Sequence, residues 1–149
     1  MNDLRDLYQE VLLDHSKRPR NFGVLADADH QAVGHNPLCG DKVVVYLRMD
    51  GDRIADIRFQ GQGCAVSQAS ASMMTESVKG KTRAEAEALF KRFHELLTGT
   101  AGPETVSELG KLAIFAGVRK YPVRVKCATL AWHTLHAALA RKAETVSTE

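Results

Sequence analysis

The chain has little of what would announce a specialised class. Its 149 residues include three cysteines, with no fourth to pair the odd one, four prolines, one tryptophan and only 6% aromatic residues. The odd count argues against a closed disulfide framework. Net charge is +2, and no basic run alternates with aromatics, so the sequence presents no face for nucleic acid or for an anionic membrane surface. The longest strongly apolar run, Val43-Val44-Val45-Tyr46-Leu47, is far short of the roughly 20 residues that span a bilayer. Met1-Asn2-Asp3-Leu4-Arg5-Asp6 carries acids and no apolar stretch, so it does not read as a secretory signal. These absences point to the cytoplasm, where thiols stay reduced and spaced cysteines serve as ligands or reactive groups.

What is present suits one soluble domain over residues 1–149, with 44% hydrophobic and 26% charged residues and enough length for a single core. Leu4, Leu7, Tyr8, Val11 and Leu12 recur at helical spacing and predict a helix over Leu4–His15, ended by a Pro19 and Gly23 loop. Ala26–His30 is polar and reads as exposed. Gln31–His35, Lys42–Met49 and Arg53–Gln60 read as strands, the last two joined by a tight turn at Asp50-Gly51. Ala65–Val78 reads as a small-residue helix closed by Gly80. Thr82-Arg83-Ala84-Glu85 opens another by a capping box, running to about Leu97. A loop at Thr98–Pro103 precedes a short helix, Val106–Phe115, ended by Gly117. Pro122–Val125 reads as extended. Cys127–Lys142 reads as the last helix, with Cys127, Leu130, Ala131, Thr134, Leu135, Ala138 and Leu139 as its inner stripe, and Thr145–Glu149 as a frayed tail. Strands and helices are segregated, so the fold class is α+β: a small three-stranded antiparallel sheet packed against several helices. No oligomerisation stripe stands out, so the default is a monomer.

The three cysteines sit at structural transitions. Cys64 follows Gly61-Gln62-Gly63 and Cys127 follows Arg124-Val125-Lys126, both near predicted helix starts, where free amides and the helix dipole stabilise a thiolate. Cys39 lies in Asn36-Pro37-Leu38-Cys39-Gly40-Asp41, and in an extended chain Cys39 and Asp41 would point the same way. Three thiolates and one carboxylate make a donor set that zinc accepts in tetrahedral geometry. Such a site is anionic, and Arg124 is the candidate to offset its charge. The spacing lacks Cys-x-x-Cys knuckles, so buried structural cysteines are the competing reading. His133 and His136, three apart on the last helix, lie off the stripe that carries Cys127 and read as surface or boundary residues. His94 reads as exposed, and His35 as a neighbour of the Cys39 loop. Met73, Met74 and the Ser67–Ser72 stretch read as helix packing, since no phosphate-loop pattern accompanies the serines.

With these motifs in this order, the chain resembles the SufU/IscU family of iron–sulfur cluster assembly proteins over almost its whole length. The matching stretches are Tyr8–Gly23, Asn36–Asp41, Gly63–Ser72 and Lys126–Trp132. Lys126 stands where scaffold-type members carry histidine, and the helical segment around Arg83–Leu112 is longer than theirs. Tyr121-Pro122-Val123-Arg124-Val125 replaces their Leu-Pro-Pro-Val-Lys chaperone motif. These departures sort the chain with the SufU branch. The resemblance implies zinc held by Cys39, Asp41, Cys64 and Cys127, and a SufS-type cysteine desulfurase as partner. It implies sulfur transfer onto Cys39 with Asp41 in the reacting site, where the charge argument adds Arg124, and it points to delivery to apo-proteins or to a separate scaffold. The alternative it carries is a scaffold on which the same cysteines hold a transient iron–sulfur cluster.

Overall fold

A computed structural model describes residues 3–140 and 146–147, with side chains over 9–140. The element order is α1 (Asp3–Lys17), β1 (His30–Asn36), β2 (Asp41–Asp50), β3 (Arg53–Gln62), α2 (Ala65–Val78), α3 (Arg83–Thr98), α4 (Pro103–Leu109), a 3₁₀ segment (Gly110–Lys120), α5 (Pro122–Leu139) and β4 (Val146–Ser147). The expected α+β domain with a three-stranded antiparallel sheet is present, and β4 extends it to the order β3-β2-β1-β4. β4 pairs parallel to β1, Gly34 with Val146 and His35 with Ser147. Part of the segment expected to fray is therefore held. The remainder, Thr145, Thr148 and Glu149, lies outside the described residues, as do Met1-Asn2 and Arg141-Lys142.

One sheet face is buried. Ala32, Val43, Val45, Leu47, Ile54, Ile57 and Phe59 form the sheet side of a core completed by Met73, Met74, Phe93, Leu130, Trp132 and Leu135. Strand alternation sets this sidedness. A bulge resets it: Arg48 pairs with Asp56 and Met49 with Ile54, so Ala55 is the extra residue and both Ile54 and Ile57 turn inward. The hairpin closes one residue later than the Asp50-Gly51 motif predicts. Asp50 pairs with Arg53, and Gly51 at φ 60 occupies the first central position of the turn, where glycine fits a type II′ geometry.

α2 matches its expected limits, because Cys64 caps it and Gly80 at φ 84 follows it. Its serines are packing residues, as expected. Ser67, Ser70 and Ser72 are buried, and Trp132 Nε1 donates to Ser70 Oγ at 3.2 Å. α3 carries the predicted capping box and stacks Phe93 on Trp132 with centroids 4.8 Å apart. Met73 and Met74 are core residues.

Four expectations need correction. His30 is buried rather than exposed, because it begins β1 and bonds through Nδ1 with Ala138 O at 3.0 Å. α4 starts at Pro103, a favourable first helical residue. It ends at Gly110 (φ 57), where the chain tightens into the 3₁₀ segment and runs through Gly117 to Lys120. α5 likewise begins at Pro122, not Cys127, so Pro122–Val125 is helical. Proline lacks the N–H that a first turn leaves unpaired and fixes a helical φ. It pushes only the residue before it, Tyr121 (φ −126, ψ 93), into extended backbone. At its other end α5 stops at Leu139, with Ala140 as cap. The predicted inner stripe is buried, and so are Ala128, Thr129, Trp132 and Ala137: α5 is a central helix covered nearly all round.

Candidate metal centre

Three chain connections meet at one end of α5. The first joins β1 to β2. Asn36 pairs with Asp41, which leaves Pro37-Leu38-Cys39-Gly40 as a four-residue turn with Gly40 at φ 71. This turn replaces the expected extended geometry: Cys39 and Asp41 approach because the chain folds back through a left-handed glycine, not because alternate strand residues share a face. Cys39 ends exposed, while Asp41 at the start of β2 has no exposure.

The second connection leads from β3 into α2. Lys42 pairs with Gln62, which brings the end of β3 beside Asp41. There Cys64 is the N-cap of α2, its sulfur accepting the Ser67 N–H at 3.4 Å. Its own N–H donates to Asp41 Oδ1 at 2.8 Å. Gly63 makes this approach possible, since a Cβ there would stand 2.2 Å from Asp41 Oδ1. For Cys64 the helix-start environment foreseen from sequence is real.

The third candidate ligand comes from α5. Because the helix begins at Pro122, Cys127 occupies its second turn and is buried. It has no free helix-terminal amides, and burial pushes its thiol pKa up, with Asp41, Cys39 and Cys64 adding to the rise. The thiolate-favouring setting expected from Arg124, Lys126 and the helix start is thus reversed at Cys127. Arg124 is exposed. Its guanidinium lies 5.0 Å from the Tyr121 ring centre, and among the described residues it forms no ion pair with Asp41.

Ligand atoms of Cys39, Asp41 and Cys127 all lie within 4.8 Å of one another. Cys127 Sγ is 3.2 Å from Cys39 Sγ, and Cys64 Sγ is 3.9 Å from Asp41 Oδ2. Cys64 stands at the rim: its sulfur is not within 4.8 Å of all three, although it neighbours Cys127 as well as Asp41. Two zinc-bound thiolates would sit about 3.7 Å apart, so the sulfurs are already near coordination spacing. Two thiols and a carboxylate crowd one point, and ionising them together is costly. A bound cation would remove that cost and favour the ionised thiols. The donor set therefore fits a metal.

The other candidates lie elsewhere. His35 is exposed on β1 opposite Lys42, on the strand face away from Asn36. His94, His133 and His136 line a cavity of about 420 Å³ with Glu87, Phe90 and Lys91 between α3 and α5. Sequence reasoning passed over His15, which is buried and bonded through Nδ1 with Ser72 Oγ at 2.7 Å. It also passed over Asn36, buried beside Cys127 at 3.5 Å. Asn36 precedes Pro37, and that pair signals a turn rather than a buried amide.

A small α+β fold with a thiol-and-carboxylate centre at the junction of a hairpin turn, a helix cap and a central helix defines a class of thiol-ligand metal or sulfur proteins. The sequence comparisons give it a family. Residues 7–128 match the NifU-like N terminal domain, and the chain belongs to that family. It is 41% identical over 140 residues, 94% of each chain, to the zinc-dependent sulfurtransferase SufU of Bacillus subtilis. It is 45% identical over 143 residues to an iron–sulfur cluster assembly scaffold protein IscU of Streptococcus pyogenes, covering 96% of this chain and 89% of that one. A solved structure from Fervidobacterium islandicum AW-1, described as a candidate iron–sulfur cluster assembly scaffold for the SUF system, superposes with a TM-score of 0.82 at 39% identity. It covers 91% of this chain and 98% of that one. The chain is thus of the SufU/IscU type, and its role lies in iron–sulfur cluster assembly. Among the described residues no helix is long and apolar enough to cross a membrane.

Proposed function

We propose that this protein is a zinc-dependent sulfur acceptor and transferase, taking persulfide sulfur from a SufS-type cysteine desulfurase onto Cys39. The observation that carries this reading is the asymmetry of the cluster. Cys127 and Asp41 are buried, whereas Cys39 is exposed on a turn, so one thiol of the set is open to another protein's persulfide. Zinc, held by Cys39, Asp41, Cys64 and Cys127, would keep the thiols deprotonated near neutral pH.

The transfer balances without an outside oxidant. The Cys39 thiolate attacks the terminal sulfur of the desulfurase persulfide, the new S–S bond forms on Cys39, the old S–S bond breaks, and the desulfurase cysteine leaves as thiolate. Within this chain, Asp41 fixes the rim by accepting the Cys64 N–H, and the Ser67 N–H holds the Cys64 sulfur. Arg124, exposed at the start of α5, serves as a docking or charge-offsetting residue. The sulfur then passes to apo-proteins or to a separate scaffold.

The test is desulfurase turnover. Zinc-loaded protein is expected to accelerate cysteine consumption by a SufS-type enzyme and to carry added sulfur on Cys39 in peptide mass analysis. No acceleration and no modified Cys39 would sink the reading. The scaffold reading draws on the Streptococcus relative's description and on the affinity of thiolates for iron–sulfur clusters. Anaerobic reconstitution followed by cluster transfer to an apo-acceptor, with zinc displaced by iron, would favour it.

A further inference from the structure

We infer that Asn36 is a positioning residue of the metal centre, its side-chain amide holding the Cys127 sulfur in the orientation that faces Cys39 and Asp41. This rests on the metal-binding reading of the cluster and assigns it a residue outside the ligand set. Asn36 is the last residue of β1, has no exposure, and pairs across the hairpin with Asp41. Its backbone carbonyl accepts the Cys39 N–H at 3.3 Å. Its Nδ2 donates to Cys127 Sγ at 3.5 Å. One residue thus touches three of the ligand-bearing positions.

The other half of the amide carries the argument. Asn36 Oδ1 is buried without a hydrogen-bond partner among the described residues, and an apolar side chain of similar shape would spare the fold that unpaired acceptor. Fold stability therefore does not explain an asparagine here, whereas a donor aimed at the sulfur does. A metal-bound thiolate has lone pairs and no proton, so only the N–H of the amide is attractive toward it. Hydrogen bonds of this kind orient first-sphere ligands and tune metal centres.

Asn36→Leu separates positioning from space-filling. The metal-free variant is expected to melt at or above the wild-type temperature, since the unpaired carbonyl is gone. Its zinc affinity, from chelator competition, is expected to fall about 10- to 100-fold. With cobalt(II) as probe, its sulfur-to-metal charge-transfer bands should shift from those of the wild type. Asn36→Asp, equal in shape but with an acceptor in place of the donor, should weaken zinc at least as much. If the leucine variant fails to fold, Asn36→Ser carries the same affinity and spectral expectations. Unchanged zinc affinity and unchanged cobalt spectra in these variants would overturn the inference. Failure of the wild type to bind either metal is a separate outcome; it would overturn the metal reading and this inference with it.

Discussion

α5 carries potential metal ligands at both ends, and the two ends behave differently. At its start, Cys127 meets Cys39 and Asp41, with all three ligand atoms inside 4.8 Å. Toward its end, His133 and His136 share a cavity with His94 and Glu87, yet the rings are spaced around Phe90, which lies edge-on to His133 at 5.0 Å, and His94 and His133 stand 6.4 Å apart. Glu87 is already engaged with His136 Nδ1 at 2.8 Å. The lesson is that ligand-type residues do not make a centre by proximity on one helix. Convergence does, and it requires separate chain segments to end at one point. The β1–β2 turn, the α2 cap and the start of α5 do this, whereas α3 and α5 merely lie side by side.

The largest test strikes between the two ends. Trp132, fully buried, stacks on Phe93 and Phe90 and bonds Ser70. Trp132→Ala should cost about 3–5 kcal/mol and loosen thiol cluster and histidine cavity together, measured by denaturant midpoint. Next, Cys127→Ala should abolish metal retention. When free metal exceeds Kd about 1,000-fold, roughly 4 kcal/mol of metal-linked stability goes with it. Zinc should then raise the melting temperature of the wild type and not of the variant. The double substitution His133→Ala, His136→Ala should leave metal content unchanged. A fall in metal there would erase the contrast between the two ends.

A smaller effect probes how the rim is assembled. A Cβ on Gly63 meets Asp41 at 2.2 Å, so Gly63→Ala should cost about 1–3 kcal/mol. Asp41→Ala leaves the Cys64 N–H unpaired and should cost about as much; the carboxylate is thus part of the fold as well as a candidate ligand. Because the two residues touch, the double variant should be less damaged than the sum of the singles, and additive costs in a double-mutant cycle would show that the clash is not what glycine avoids. The smallest effect belongs to the histidine end. Burial holds the folded-state pKa of His133 below its ordinary 6.5, so the unfolded chain binds more protons. The stability due to the neutral ring is complete above pH 6.5 and is lost as pH falls through the folded pKa. His15 is lowered chiefly by burial as well and acts in the same sense. Thermal unfolding between pH 7.5 and 5 should show a fall that His133→Asn flattens in part, with the His15 share remaining.

Much of this was open to a reader of the sequence, for identifiable reasons. α2 is legible at its limits because the Gly61-Gln62-Gly63 break before it and its closing glycine are local signals. The sheet was found because period-2 burial is written into Val43, Val45 and Leu47. The start of α5 was misplaced because a proline followed by valines reads equally as a strand entry or as a first helical turn, and only the packing of α5 through the core selects the helix. That error also inverted the expected environment of Cys127. Asn36 and His15 escaped notice because a polar residue beside a turn or at a helix end looks solvated until distant elements cover it.

The sequence by itself determined most of the element types, the candidate donors and the family, because these rest on local propensity and on motifs that act over a few residues. Only the tertiary structure decided which donors converge, that Cys39 is open while Asp41 and Cys127 are sealed, and that Asn36 stands behind the sulfur. Those distances join positions up to 91 residues apart. They are set by how the hairpin, α2 and α5 pack against one another, which local propensity does not encode.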